Sequence, residues 1–311
     1  MNFQYSEKQE NSAYVQLLIL LGYALAGILI CSILGVLVLF GMYGSSVLTD
    51  SYALATGDPK FLNGLKIFQV LSSIGLFLAP PILLAWTEKR KLKDFYQLGQ
   101  SRWVIAGWVL LIMIASMPLM EWTALWNQQL QLPESMKALE NWMKEKEETA
   151  MRTTLIFLKM NHLGDFVINL FVIAILPAIS EELMFRGGIQ RAFKRMFSNH
   201  HAAIWVTAIV FSAIHLQFYG FLPRVLLGAL FGYIYVWSGN LWYAILAHFI
   251  NNAYAVCVAY YLQWKHLPLS ASDQTFQFEW YGYLVSAMLS VALLFYFKKQ
   301  FINGKQLGKD L

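Results

Sequence analysis

Two adjacent carboxylates, Glu181 and Glu182, arrive directly after the apolar run Phe166 to Ser180, and Arg186 follows four residues after the second. Two other apolar stretches carry polar groups suited to chemistry: His215, in Phe211-Ser212-Ala213-Ile214-His215, and the pair His248 and Asn252, four residues apart. A carboxylate beside an imidazole, with a carboxamide close by, is a fit set for activating water against a carbonyl. The carboxylate takes the water's proton as general base. One histidine orients the same water, while asparagine and the second histidine donate to the developing oxyanion. That chemistry is peptide hydrolysis without a covalent intermediate, and no G-x-S-x-G motif argues for a serine nucleophile.

The same side chains also read as metal ligands. Glu181, His215 and His248, with Glu182 in reserve, could hold Zn²⁺ and leave a position for water. H-E-x-x-H is absent, so such a metal would have to be gathered from separate helices. The sequence leaves metal dependence open and assigns no cofactor. Each residue has a plainer reading too. Glu182 and Arg186 have the i, i+4 spacing of a helical ion pair, and a lone histidine on an apolar helix is commonly a packed core residue.

The elements that position these groups follow from composition. In 311 residues, 58% are hydrophobic and only 13% charged, which does not fit a globule dissolved in water. Runs of about 20 apolar residues recur, the length needed to cross a bilayer, and backbone groups in lipid must bond within their own helix. The expected fold is therefore all-α, a polytopic bundle of about eight membrane helices near 14–42, 64–86, 103–120, 165–197, 201–217, 222–237, 241–262 and 280–297. The first run is too long for a signal-peptide core and is expected to stay as a membrane helix. Cys31 and Cys257 both lie in apolar runs, where a free cysteine acts as a small hydrophobe.

The net charge of +5 accompanies no basic, aromatic-interleaved patch of the kind that binds nucleic acid. It reads as a topology signal instead. Lys8; Lys89, Arg90, Lys91, Lys93 and Arg102; Arg186, Arg191, Lys194 and Arg195; and Lys298, Lys299, Lys305 and Lys309 fall on one side of an eight-span threading, 14 of the 23 basic residues. Basic residues stay cytoplasmic, so both termini are expected inside.

Depth brings the polar groups level. Glu181 lies about 17 residues before a turn at 198–200 and His215 about 16 after it, which puts both roughly 25 Å from the bend. Arg191 to Arg195 suggest that the helix emerges into the headgroups there, which leaves Glu181 on the order of 15 Å deep, and His248, counted from the turn at 238–240, lies roughly 13 Å deep. Charge at such depth persists mainly where it lines a cavity or finds a partner. The organisation expected is three membrane helices over 1–120, an amphipathic extracytoplasmic insert over 121–164, a catalytic core over 165–262, and a last span with a basic tail over 263–311. The insert carries Met136, Leu139, Trp142 and Met143 at helical spacing, which suits a helix lying on a membrane face.

Taken in order on three membrane helices, E-E-x-x-x-R at Glu181, Glu182 and Arg186, F-x-x-x-H at Phe211 and His215, and H-x-x-x-N at His248 and Asn252 resemble the three motifs of the CPBP family. That family includes type II CAAX prenyl endopeptidases, bacteriocin-processing proteins and Abi-type proteins, and the resemblance covers roughly residues 165–260. It implies that Glu181 is the general base, His215 its water-positioning partner, His248 and Asn252 the oxyanion donors, and Glu182 and Arg186 residues that shape the site. It also implies an intramembrane endopeptidase with membrane lipid and a peptide or lipidated-protein substrate as partners, CAAX-type or bacteriocin-type. The rival readings are a proton- or ion-coupled transporter, which membrane carboxylates and histidines also serve, and a non-catalytic immunity or scaffold protein of the same fold.

Overall fold

The computed structural model describes residues 10–55, 58–269 and 278–307. The described residues are helical throughout their ordered elements, and we number the principal helices α1 Ala13–Tyr43, α2 Pro59–Thr87, α3 Trp103–Gln128, α4 Lys137–Phe157, α5 Leu163–Phe197, α6 His200–Ala213, α7 Phe221–Ser238, α8 Leu241–Trp264 and α9 Trp280–Leu307. Seven of the described helices are long and apolar enough to cross a membrane. The one remaining expected span, the fifth, is α6, which is apolar but only 14 residues long.

Three expectations are corrected in detail. The third span does not stop at residue 120 but runs to Gln128 through Pro118. Proline normally breaks a ladder because it lacks an N–H and crowds the preceding turn. Here Ser286 of α9 enters the break: its hydroxyl accepts from Leu119 N at 3.1 Å and donates to the carbonyl of Ala115. Residues 121–128, expected in the insert, are therefore the last turns of α3. The fifth span, expected to reach residue 217, ends at Ala213, and His215 sits in the turn beyond, next to Leu216 in the left-handed region at φ 53°. The insert forms α4, and of its apolar stripe Met136, Leu139 and Trp142 are each more than 40% exposed.

Packing is closest where side chains are smallest. A Cβ on Gly27 of α1 or on Gly75 of α2 would run into the backbone carbonyl of the other, so only glycine allows these helices to touch. Gly75 lies in a π-helical stretch, Ile74–Leu78. Helices α6 and α7 form a tight hairpin, α9 lies along α3, and α5 crosses α8 in the middle of the bundle.

The bundle has two distinct ends. At one, Glu10 accepts from Arg191 and Arg195, Gln16 donates to Glu88 at 2.9 Å, and Asn240 donates to the carbonyl of Gln100 at 3.2 Å. Lys298 lies over the ring of Trp237 at this end as well. The described basic segments around 89–102, 191–195 and 298–299 thus share one face, as an alternating threading requires. Lys8 and Lys309 lie outside the described residues. At the other end, Gln263 ties α8 to the carbonyl of Leu158, and Asn127 of α3 donates to the carbonyl of Phe218 at 2.9 Å and accepts from Leu222 N at 2.7 Å.

Candidate active site

The helix that carries both carboxylates is irregular for a covalent reason. Pro177 interrupts α5, and the helix widens into π-helical stretches on either side of the segment Leu176–Glu182, over Leu170–Ile175 and Leu183–Gln190. Such insertions shift the register of side chains, and they recur at functional sites. The carbonyl of Ile173, four residues before the proline, cannot receive its usual N–H. It accepts instead from Asn252 Nδ2 of α8 at 3.2 Å.

Glu182 and Arg186 are fully buried and paired, with Nη1 2.6 Å from Oε1. Arg186 Nη2 donates to the carbonyl of Gly228 on α7 at 2.8 Å, and the guanidinium lies 4.9 Å from the ring of Phe211 and 5.4 Å from that of Phe231. A charge cluster of this depth is tolerable only when its members satisfy one another. His248 completes it, with Nδ1 2.9 Å from the same Glu182 oxygen. Facing a carboxylate, Nδ1 carries the proton, and the other edge of the ring, Nε2, turns toward Glu181 at 3.9 Å. Phe231 stacks on the His248 ring at 5.2 Å and holds its plane.

Glu181 differs from its neighbour in every respect that bears on reactivity. Its side chain retains 13% exposure against 0% for Glu182. No hydrogen bond from a described residue reaches it, and its nearest polar neighbour is His248, beyond direct hydrogen-bonding distance. One carboxylate is locked into the scaffold and the other is free.

His215 is oriented by its own turn. Nδ1 donates to the carbonyl of Phe211 at 2.7 Å, capping the end of α6 and leaving Nε2 available. The ring of Phe211 touches both imidazoles edge-on, at 5.0 Å from His215 and 6.0 Å from His248, and also meets Phe185 at 5.0 Å. Phe211 is thus the wedge between the two imidazoles.

The structure joins Glu182, Arg186 and His248 by direct bonds, sets Glu181 beside His248, and reaches His215 through Phe211. Asn252 stands apart, with its side-chain amide donated to the carbonyl of Ile173. Among the described residues no three His, Cys, Asp or Glu side chains gather as a metal-binding set. With Nδ1 of each histidine engaged by an oxygen, Nε2 is the ring nitrogen left to face Glu181 or a ligand, and Glu181 stands 3.9 Å from His248 Nε2. Sequence reasoning passed over Phe231, Gly228 and Arg224. Arg224 carries a visible signal in the sequence, a lone charge at the head of an apolar run.

Beside the site, an apolar cavity of about 460 Å³ opens between α3, α5 and α8, lined by Trp103, Ala178, Ile179, Trp242, Leu246 and Phe249 among others. Ala178 and Ile179 precede the carboxylates by about one turn of α5, while Glu181, Glu182, His215 and His248 do not line the cavity.

Residues 163–254 match the family model described as Type II CAAX prenyl endopeptidase Rce1-like, a stretch that contains all three motifs. The chain is also 26% identical over 110 residues to the uncharacterized protein YpbD of Bacillus subtilis, covering 34% of this chain and 52% of that one. It therefore spans about half the length of this curated relative. No solved structure matches the chain. With its seven long apolar helices, this is an integral multi-pass membrane protein carrying an Rce1-like region.

Proposed function

We propose, from an Rce1-like region folded within a membrane bundle, that the chain is an intramembrane endopeptidase of the CAAX-processing type, with Glu181 as general base. The observation that carries this reading is the division of labour between adjacent carboxylates: Glu182 is consumed by Arg186 and His248, whereas Glu181 is unbonded, partly accessible and faces an imidazole edge.

In this mechanism Glu181 takes a proton from water as the water oxygen bonds to the scissile carbonyl carbon. His215 Nε2 helps orient that water. His248, donating Nδ1–H to Glu182, would donate Nε2–H to the oxyanion when its second nitrogen is protonated, and the low-dielectric surroundings strengthen such a contact. The C–N bond then breaks as Glu181 returns its proton to the leaving nitrogen, giving a carboxyl terminus and an amine. Glu182 and Arg186 hold His248 in place. Asn252 is better supported as the residue that fixes the segment 173–182 than as an oxyanion donor, because its amide is directed at Ile173. The basic end of the bundle is taken as the cytoplasmic face, following the distribution of lysine and arginine.

The test is direct. Purified wild type and Glu181→Gln are incubated with membrane-anchored and prenylated peptides, and products are read by mass spectrometry. Cleavage by the wild type alone supports the reading; equal cleavage by both, or proton-driven flux in liposomes without cleavage, overturns it.

A further inference from the structure

Arg224 is a cation at the candidate site that no carboxylate touches. It lies in the first turn of α7, half-buried, with Nη1 3.4 Å from the backbone oxygen of Gln217 and Nη2 2.6 Å from its side-chain oxygen. Both partners are neutral. Among the described residues no acid lies within ion-pair contact, yet Arg224 stands beside the site: its partner Gln217 follows His215 by two residues, and Gly228, one turn further along α7, accepts from Arg186.

The contrast with Arg186 is instructive. Arg186 is enclosed, neutralised by Glu182 and sandwiched against two rings. Arg224 is steered by Gln217 and keeps a donor edge over, since a guanidinium carries five N–H groups in a planar fork that matches a carboxylate. Holding such a cation at membrane depth is costly unless it meets an anion. Among the described residues two acids act on it from a distance, Glu181 and Glu147, and neither touches it; the Glu147 carboxylate accepts from Tyr219 N at 3.3 Å.

We propose that Arg224 receives a carboxylate of the substrate, namely the free C-terminal carboxylate of a peptide cut a few residues upstream at Glu181. The proposal rests on the peptidase reading. A terminal carboxylate is the anion that every linear peptide presents, and without a cation it would be repelled by Glu181. Arg224 lies where it can offset that repulsion and fix the distance between the chain end and the scissile bond.

The experiment uses two peptides identical except for a free acid or an amide at the C-terminus, plus a third amide with an internal glutamate. Wild type, Arg224→Gln and Arg224→Lys are compared by the acid-to-amide ratio of kcat/KM, with thermal unfolding as a check on folding. A wild-type preference for the acid of about 10- to 100-fold is expected from a charge-assisted contact. The ratio should fall toward one in Arg224→Gln and stay intermediate in Arg224→Lys. A wild type that treats acid and amide alike, an unchanged ratio in Arg224→Gln, or an internal glutamate that substitutes fully for the terminus overturns the proposal. Binding of the same peptides to Glu181→Gln separates it from the reading beneath. Acid-selective binding that vanishes with Arg224→Gln, in a protein that cleaves nothing, keeps the carboxylate site and removes the peptidase. Binding of neither peptide, or of both equally, removes the carboxylate site.

Discussion

Asn252 donates its side-chain amide to the carbonyl of Ile173, the acceptor that Pro177 leaves without an N–H. The bond spans α8 and α5 and fastens the segment bearing Glu181 and Glu182 to the helix bearing His248. A distortion written into one helix by proline is thereby stabilised by a residue on another, and the carboxylates owe their placement to both.

This relationship can be measured by a double-mutant cycle. Asn252→Ala should leave the buried carbonyl unsatisfied and cost about 1–3 kcal/mol. In a Pro177→Ala background the new N–H can return to Ile173, so the same change should cost clearly less. Equal costs in the two backgrounds, read by unfolding in detergent, would show that the pairing does not serve this end.

The two glutamates should separate activity from stability. Glu181→Gln removes a group with no bonds to the scaffold, so unfolding should shift little while hydrolysis falls by about 100-fold or more, the usual worth of a general base. Glu182→Gln leaves Arg186 buried without its counter-ion and should destabilise the fold by about 3–5 kcal/mol. The idea fails if Glu181→Gln unfolds the protein as readily as Glu182→Gln.

Because no three His, Cys, Asp or Glu side chains gather as a metal-binding set among the described residues, peptide cleavage should survive exhaustive treatment with a chelator. Elemental analysis of the purified protein together with the chelated activity provides the check. Activity lost to chelator and restored by Zn²⁺ would require these side chains to rearrange around a metal.

Stability at the basic end should depend on acid pH. Burial raises the Glu10 carboxyl, but the hydrogen bond and charge of Arg191, aided by Gln16 and Arg195, outweigh it and hold the group below its usual value. A carboxyl lowered in the folded state adds stability above its unfolded value and loses it as pH falls through the folded one. The difference in unfolding temperature between wild type and Glu10→Gln should therefore be full near neutrality and shrink as pH drops below the usual glutamate value. A difference that stays constant down to pH 3 would rule out this linkage.

The sequence by itself determined the membrane bundle, because apolar runs of spanning length leave no other way to satisfy a backbone in lipid. It also determined which charges had to be explained, since Glu181 and Glu182 stand inside such a run, and the i, i+4 step already offered Arg186 to Glu182. Tertiary structure decided which glutamate is free, and it did so through His248, which comes from another helix and bonds Glu182, and through Gly228, whose carbonyl holds Arg186 against that same acid. It likewise turned His215 off its helix at Leu216, let α3 continue past Pro118 by inserting Ser286, and directed Asn252 to Ile173. Each of these outcomes depends on a partner distant in the chain, and local spacing records periodicity along one helix, not which face of another helix will meet it.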